Sequence, residues 1–129
     1  MKEVTITPLP VINKDDRGST LKVPNDRTGN FILCYRKAGT SSGRHYHTGK
    51  SPYKDPEVLY LLSGTALFRW YALEEGPEAM RQQEVNAPAR VAVPVNVWHE
   101  LQALTDCSFW EMNSLEDVQE DSVRIEYKS

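Results

Sequence analysis

Three features of this sequence predict an all-β fold. Short apolar runs with strand composition recur along the whole chain. Most are bounded by Gly, Pro, Asn, Asp or Ser, the residues that punctuate strands. No stretch sustains a helical period: "LEEGPEAMRQQ" comes nearest, and Gly76 and Pro77 interrupt it. Many short strands at steady spacing indicate a sandwich or a barrel.

The elements follow in order. "EVTIT" alternates and reads as an edge strand. The turn "DDRG" leads into "STLKV", and "NFILCYRKAG" is a strand that ends at a glycine. "RHYHT", "EVLYLLSG" and "TALFRWYAL" come next. "LEEGPEAMRQQ" reads as a hairpin connection, followed by the strands "ARVAV", "VWHELQAL", "CSFWEM" and "SVRIEY". No repeat and no long linker interrupts the 129 residues, so residues 1–129 are expected to form one domain with one core.

Composition excludes several classes. The net charge is −3 and no basic block stands out, so the electrostatic footprint of a nucleic-acid binder is missing. The longest apolar run, Val58 to Leu62, is far short of the roughly 20 residues a membrane span needs. "MKEVTITPLP" lacks the apolar centre of a signal peptide, which predicts a cytoplasmic protein. Cys34 and Cys107 sit in apolar runs and are expected to be buried free thiols.

The chain has 3 histidines. His45 and His47 are two apart in a strand, so they project from one face while Tyr46 points away. In the next strand Glu57, Leu59 and Leu61 share a face. His99 lies near the start of a later strand, just after the turn marked by Pro94 and Asn96. If these faces line one interior, three imidazoles and a carboxylate converge there. They are the N and O donors suited to one divalent transition metal such as Zn, Fe, Mn or Ni.

These residues resemble the motifs of the cupin superfamily, the RmlC-like jelly rolls. The first motif, G-x5-H-x-H-x3or4-E-x6-G, is similar to Gly39, His45, His47, Glu57 and Gly64. The second, G-x5-P-x-G-x2-H-x3-N, is matched by Pro94, Asn96 and His99 on its P-x-G-x2-H portion. Asn96 replaces a glycine, and asparagine tolerates positive φ. Pro88 and Ala103 stand where the opening glycine and closing asparagine would be. Nine residues separate His47 from Glu57, more than the family's three or four. The resemblance implies a double-stranded β-helix with a β-barrel interior, and it implies metal ligands at His45, His47, Glu57 and His99. Cupins of this size are commonly homodimers, so it implies a homodimer as well.

A second resemblance is to cupin sugar-nucleotide epimerases and ketoisomerases. It rests on Asp15, Arg17 and Gly18 in a D-x-R-G turn, then an apolar strand, then "SSGRHYH". "GTALFRWY" and "WEMNSLEDVQEDS" look like the cupin domain of capsule-sugar reductase-epimerases. This implies that His45 is the base that abstracts a proton next to a sugar carbonyl. The family's arginine before the glycine is Ser42 here.

The ligand side is read more coarsely. The long loop "TGKSPYKDP" reads as a flap over the opening, offering Lys50 and Lys54 to an anionic group and Tyr53 to a ring. Arg69, if it faces inward, would hold a phosphate or carboxylate; an outward arginine packed on its neighbours is the alternative. The expected function is a metal-binding enzyme of the isomerase or epimerase kind, acting on a sugar or sugar nucleotide. The alternatives are a metal-dependent dioxygenase or decarboxylase of a small organic acid, and a non-catalytic small-molecule binding module.

Overall fold

In the computed structural model, described for residues 3–52, 54–113 and 121–126, the chain forms twelve strands and one short 3-10 turn at Pro77–Ala79. The strands are β1 (Thr5–Pro8), β2 (Val11–Asp15), β3 (Gly18–Leu21), β4 (Ile32–Arg36), β5 (Ser41–His47) and β6 (Glu57–Ser63), followed by β7 (Thr65–Ala72), β8 (Arg81–Asn86), β9 (Ala89–Val93), β10 (Val97–Ala103), β11 (Cys107–Glu111) and β12 (Ser122–Arg124). One sheet runs β1-β9-β6-β11-β4 and faces a second that runs β12-β5-β10-β7-β8. Strands β2 and β3 form a separate hairpin. Every ladder is antiparallel.

This is the all-β jelly roll the sequence predicts, with one correction. The two sheets do not close into a barrel. No ladder joins them among the described residues, so β1, β4, β8 and β12 remain as edges. The gap between edges β4 and β12 lies beside the histidine strand β5. Strand β1 is an edge as expected, and it pairs with β9 of its own chain.

Alternation builds the core between the sheets. Leu59 and Leu61 of β6 pack there with Phe68, Trp70, Val91, Val93, Leu101 and Phe109. Val58 and Tyr60 emerge on the opposite face of β6, under Leu9, Ala92 and Met112. Both faces of β6 are therefore buried, which explains why "VLYLL" is apolar throughout rather than alternating. Cys34 and Cys107 are buried and unpaired, as expected.

Two strands escape the sequence reading. β8, "RQQEVN", is an edge strand in which Val85 alone is buried. β2 has every side chain exposed. Neither carries the apolar stripe by which a strand is recognised. "DDRG" closes the β2–β3 hairpin: the Asp15 carboxylate accepts from the Arg17 backbone N–H at 2.9 Å and from its guanidinium at 2.9 Å. No helix among the described residues is long and apolar enough to cross a membrane.

Candidate active site

The second sheet supplies the imidazoles. His45 and His99 are direct partners across β5 and β10. Next to them the register shifts, and β5 bulges through Gly43 (φ 94°) and Arg44 (φ 59°). Only glycine suits position 43, because a Cβ there would lie 2.9 Å from the His99 carbonyl oxygen. Asn96, in the turn before β10, takes φ 60°, the positive value its motif position needs. Phe68 stacks on the His99 ring at 6.0 Å between centroids. The opposite sheet supplies Glu57, the first residue of β6, 2% exposed.

One donor atom from each of His45, His47, Glu57 and His99 lies within 4.8 Å of the others. Two of the rings are tethered from behind. The Nδ1 of His47 donates to the Asp121 carbonyl at 3.0 Å, and that of His99 donates to the Val97 carbonyl at 3.1 Å. Both Nε2 atoms are thereby aimed at one oxygen, Glu57 Oε2, at 2.5 Å and 3.1 Å. The other carboxylate oxygen accepts from Lys54 Nζ at 3.2 Å. Burial alone would raise the Glu57 pKa, but the Lys54 cation and His47 outweigh it and hold the carboxyl well below its usual range.

His45 is different. Neither of its ring nitrogens has a hydrogen-bond partner among the described residues. Burial, followed by the neighbouring His99, pushes its pKa down to about 3, so the ring is neutral at physiological pH. It opens on a cavity of about 30 Å³ lined also by Ser42, Gly43, Glu57, Phe68 and Glu111. Glu111, at the end of β11, faces this cavity with its pKa raised by burial and by the nearby Glu57. Two carboxyl groups in one site are thus pushed in opposite directions.

The donor set fits a divalent metal. Metal-ligating histidines commonly give their second ring nitrogen to a carbonyl, as His47 and His99 do here. Lys54 opposes a metal, since its ammonium already pairs with Glu57 Oε1 and would stand beside the incoming cation.

The ligand-binding residues expected from sequence end in different places. Lys54 is 1% exposed, turned inward onto Glu57 instead of standing on an exposed flap. Lys50 is exposed. Tyr53 lies outside the described residues. Arg69 faces away from the histidines: it pairs with Glu100 across β7 and β10 while its neighbour Trp70 pairs with His99, and its guanidinium meets Glu100 Oε1 at 3.1 Å. Trp98 lies on that outer face too, stacked on Tyr71 at 5.4 Å.

Two residues absent from the sequence reading matter here. Glu111 occupies the last position of an apolar strand, where a charge usually marks solvent. Asp121 is 2% exposed, and its carboxylate accepts from Thr48 N (2.7 Å), Thr48 Oγ1 (2.6 Å), Gly49 N (3.0 Å) and Ser51 N (3.2 Å). It clasps the loop after β5 while its own carbonyl orients His47. No local motif announces a partner 73 residues away.

No protein-family model matches this chain, and no curated protein matches it. Solved structures do. The chain is similar to the QdtA 3,4-ketoisomerase of Thermoanaerobacterium thermosaccharolyticum, a double mutant in complex with TDP, with 20% identity, TM-score 0.71, and 95% of this chain and 87% of that one covered. A 3,4-ketoisomerase of Helicobacter canadensis aligns at 15% identity and TM-score 0.70, covering 97% and 92%. The dTDP-4-dehydrorhamnose 3,5-epimerase of Sulfolobus tokodaii aligns at 17% and 0.63, covering 97% and 72%. At these identities the likeness establishes the fold, the cupin jelly roll.

Proposed function

We propose that this chain, a single cupin domain over residues 1–129, isomerises or epimerises a carbonyl-bearing sugar or sugar nucleotide, with His45 as the base. The carrying observation is the contrast within the histidine cluster: His47 and His99 are tethered, while His45 is neutral, unpartnered and open to a cavity it shares with Glu111. The fold it shares with sugar-nucleotide ketoisomerases and epimerases supports the same reading.

The chemistry needs no co-reactant. His45 takes the proton from the carbon next to the carbonyl. The C–H electron pair becomes the enolate double bond, and charge moves to the carbonyl oxygen. The Glu57 carboxylate steadies the imidazolium that forms, and Glu111, kept protonated more readily than an exposed carboxyl, supplies a proton to the oxygen. When His45 returns the proton to the former carbonyl carbon and the adjacent hydroxyl gives its own proton to the Glu111 carboxylate, the ketone has moved; when a proton from solvent reaches the opposite face of the first carbon and the oxygen gives its proton back to Glu111, the centre is inverted. The cavity of about 30 Å³ admits one functional group and not a sugar ring, so the ring must sit in the gap between β4 and β12.

We propose further that His47, His99 and Glu57 hold one divalent metal, such as Zn, Fe, Mn or Ni. When bound, the metal supplies a Lewis acid for the carbonyl oxygen. A ring nitrogen bound to metal has no lone pair left for a proton, so His45 stays outside the metal's shell in this reading. We also propose a cytoplasmic homodimer. Two buried free thiols suit a reducing compartment. The β2–β3 hairpin, with Val11 59% and Ile12 65% exposed, is the contact offered to a second copy.

The test is solvent deuterium exchange into 4-keto sugar nucleotides, read by mass spectrometry, with metal content measured on the same samples. Exchange is expected in the wild type, falling about a hundredfold or more in His45→Asn. His47→Ala should lose the metal. Binding without exchange would leave a binding module, and oxygen uptake would point to a dioxygenase.

A further inference from the structure

The connection between β5 and β6 runs from Thr48 to Pro56 and is fixed at both ends. The Asp121 carboxylate holds the backbone N–H groups of Thr48, Gly49 and Ser51, and Arg27 Nη2 donates to the Pro56 carbonyl at 2.8 Å. Between these clamps the chain turns back on itself, with the Lys54 N–H on the Ser51 carbonyl at 3.0 Å. Pro52, Asp55 and Pro56 are exposed, while the Lys54 side chain is buried. The Lys54 side chain therefore ties the middle of the connection to the site.

A buried lysine needs a partner, because an ammonium taken out of water without one is strongly unfavourable. Glu57 is that partner: Lys54 Nζ lies 3.2 Å from its Oε1, and no other carboxylate among the described residues lies within ion-pair distance of it. The histidines serve the other oxygen. His47 and His99 turn their Nδ1 atoms back to carbonyls, so each presents its Nε2 to Glu57 Oε2. Those three atoms form one coordinating face, and the ammonium stands on the oxygen beside it. A divalent ion seated on that face puts two positive charges one carboxylate away from a third, in a place where water screens little. It also draws off the negative charge that keeps Lys54 inside. The lysine then has repulsion in front of it and solvent close behind, at the exposed Asp55 and Pro56. Neither Lys54 nor His47 lines the cavity at His45, so this exchange takes place behind Glu57, away from the side open to substrate.

We propose that the Lys54 ammonium and a divalent metal ion are alternative occupants of the Glu57 site: an entering ion expels Lys54 to solvent and frees the Ser51–Lys54 turn, and loss of the ion lets the lysine return. The protein thus carries its own cation for the metal-free state, and the buried carboxylate is never left alone. That the entering ion is a metal held by His47, His99 and Glu57 rests on the metal reading above; that Lys54 excludes it does not.

The test is a short pulse of acetic anhydride on the native full chain, with acetylation of each lysine read by mass spectrometry and zinc content measured on the same samples. Lys50, exposed in the same connection, is the internal reference. In protein stripped with a chelator, Lys54 is expected to react about a hundredfold more slowly than Lys50. With one equivalent of zinc bound, the difference should fall to about tenfold or less. His47→Ala removes a ligand and should abolish that change; circular dichroism checks that it folds. Zinc bound at one equivalent with Lys54 still protected would overturn the proposal and leave the metal reading standing. A zinc effect on Lys54 that survives His47→Ala would place the ion elsewhere and overturn it too. A wild type that takes no zinc, beside a Lys54→Met variant that takes one equivalent, would keep the mutual exclusion and remove the metal from the native protein. Zinc taken up by neither would overturn both readings.

Discussion

Two connections of this chain look alike in sequence and end in opposite surroundings. Residues 48–56, "TGKSPYKDP", and the β2–β3 hairpin around "DDRG" are both polar, turn-rich and charged. The hairpin stays outside: all of β2 is exposed, and the Asp15 carboxylate at its turn serves Arg17 two residues away. The 48–56 connection is drawn in. Asp121 gathers its first residues, Arg27 Nη2 holds the Pro56 carbonyl at 2.8 Å, and Lys54 is buried against Glu57. The difference lies in the reach of the partners. A carboxylate that satisfies its own turn leaves the turn in solvent, whereas one arriving from 70 residues away turns a loop into a wall of the site.

The largest test of this contrast is the clasp. Asp121→Ala leaves the N–H groups of Thr48, Gly49 and Ser51 without their acceptor and should cost about 3 kcal/mol in urea unfolding. The corresponding Asp15→Ala, at a turn in solvent, should leave the urea midpoint nearly unchanged. The pH dependence gives a second readout. Burial alone would raise the Asp121 pKa, but the bonds from Thr48, Ser51 and Gly49 outweigh it, so the folded value lies below 3.8. Its contribution is therefore complete above the unfolded value and is lost as pH falls through the depressed folded one. The gap between wild type and Asp121→Asn should narrow only below about pH 4. A gap that narrows near neutrality would assign the effect to another group.

Next in size is Lys54. Lys54→Met removes the buried cation from Glu57 and should destabilise the metal-free protein by about 2 kcal/mol, since His47 and His99 still face the carboxylate. The same change removes a like charge from beside the proposed metal, so divalent-metal affinity, read by calorimetry, should rise about tenfold. Unchanged affinity would mean that Lys54 and the metal do not share Glu57. Lys50→Met, in the exposed part of the same loop, should alter neither quantity.

Legibility in the sequence follows the same division between local and distant causes. Strands with an apolar stripe and the three histidines were readable, because strand parity decides which residues share a face and all three histidines fall on motif positions. The side of Arg69 was not. "TALFRWYA" buries apolar residues on both faces, Phe68 and Trp70 inward and Tyr71 outward, so parity gives no sign until His99 pairs with Trp70. Asp121 and Glu111 were unreadable for a related reason. Each is an acidic residue whose burial is created by elements remote in the chain. The loop's length suggested a flap, and only the pairing of Lys54 with Glu57 reveals a wall.

The smallest expected effect concerns the hairpin. Val11 and Ile12 are 59% and 65% exposed, so Val11→Ser with Ile12→Ser removes little burial within one chain. Unfolding of the dilute protein should shift by less than about 0.5 kcal/mol with an unchanged m-value. If the hairpin is the contact between two copies, the double variant should instead sediment as a monomer at micromolar concentration where the wild type sediments as a dimer, and its stability should lose its dependence on protein concentration. Two apolar side chains left in solvent on a projecting hairpin are the kind of surface that a second copy covers. A large loss of stability in the dilute protein would mean that the hairpin packs on its own body as the clasped loop does, and the contrast between the two connections would fail. A wild-type monomer at micromolar concentration would remove the dimer and leave the contrast standing.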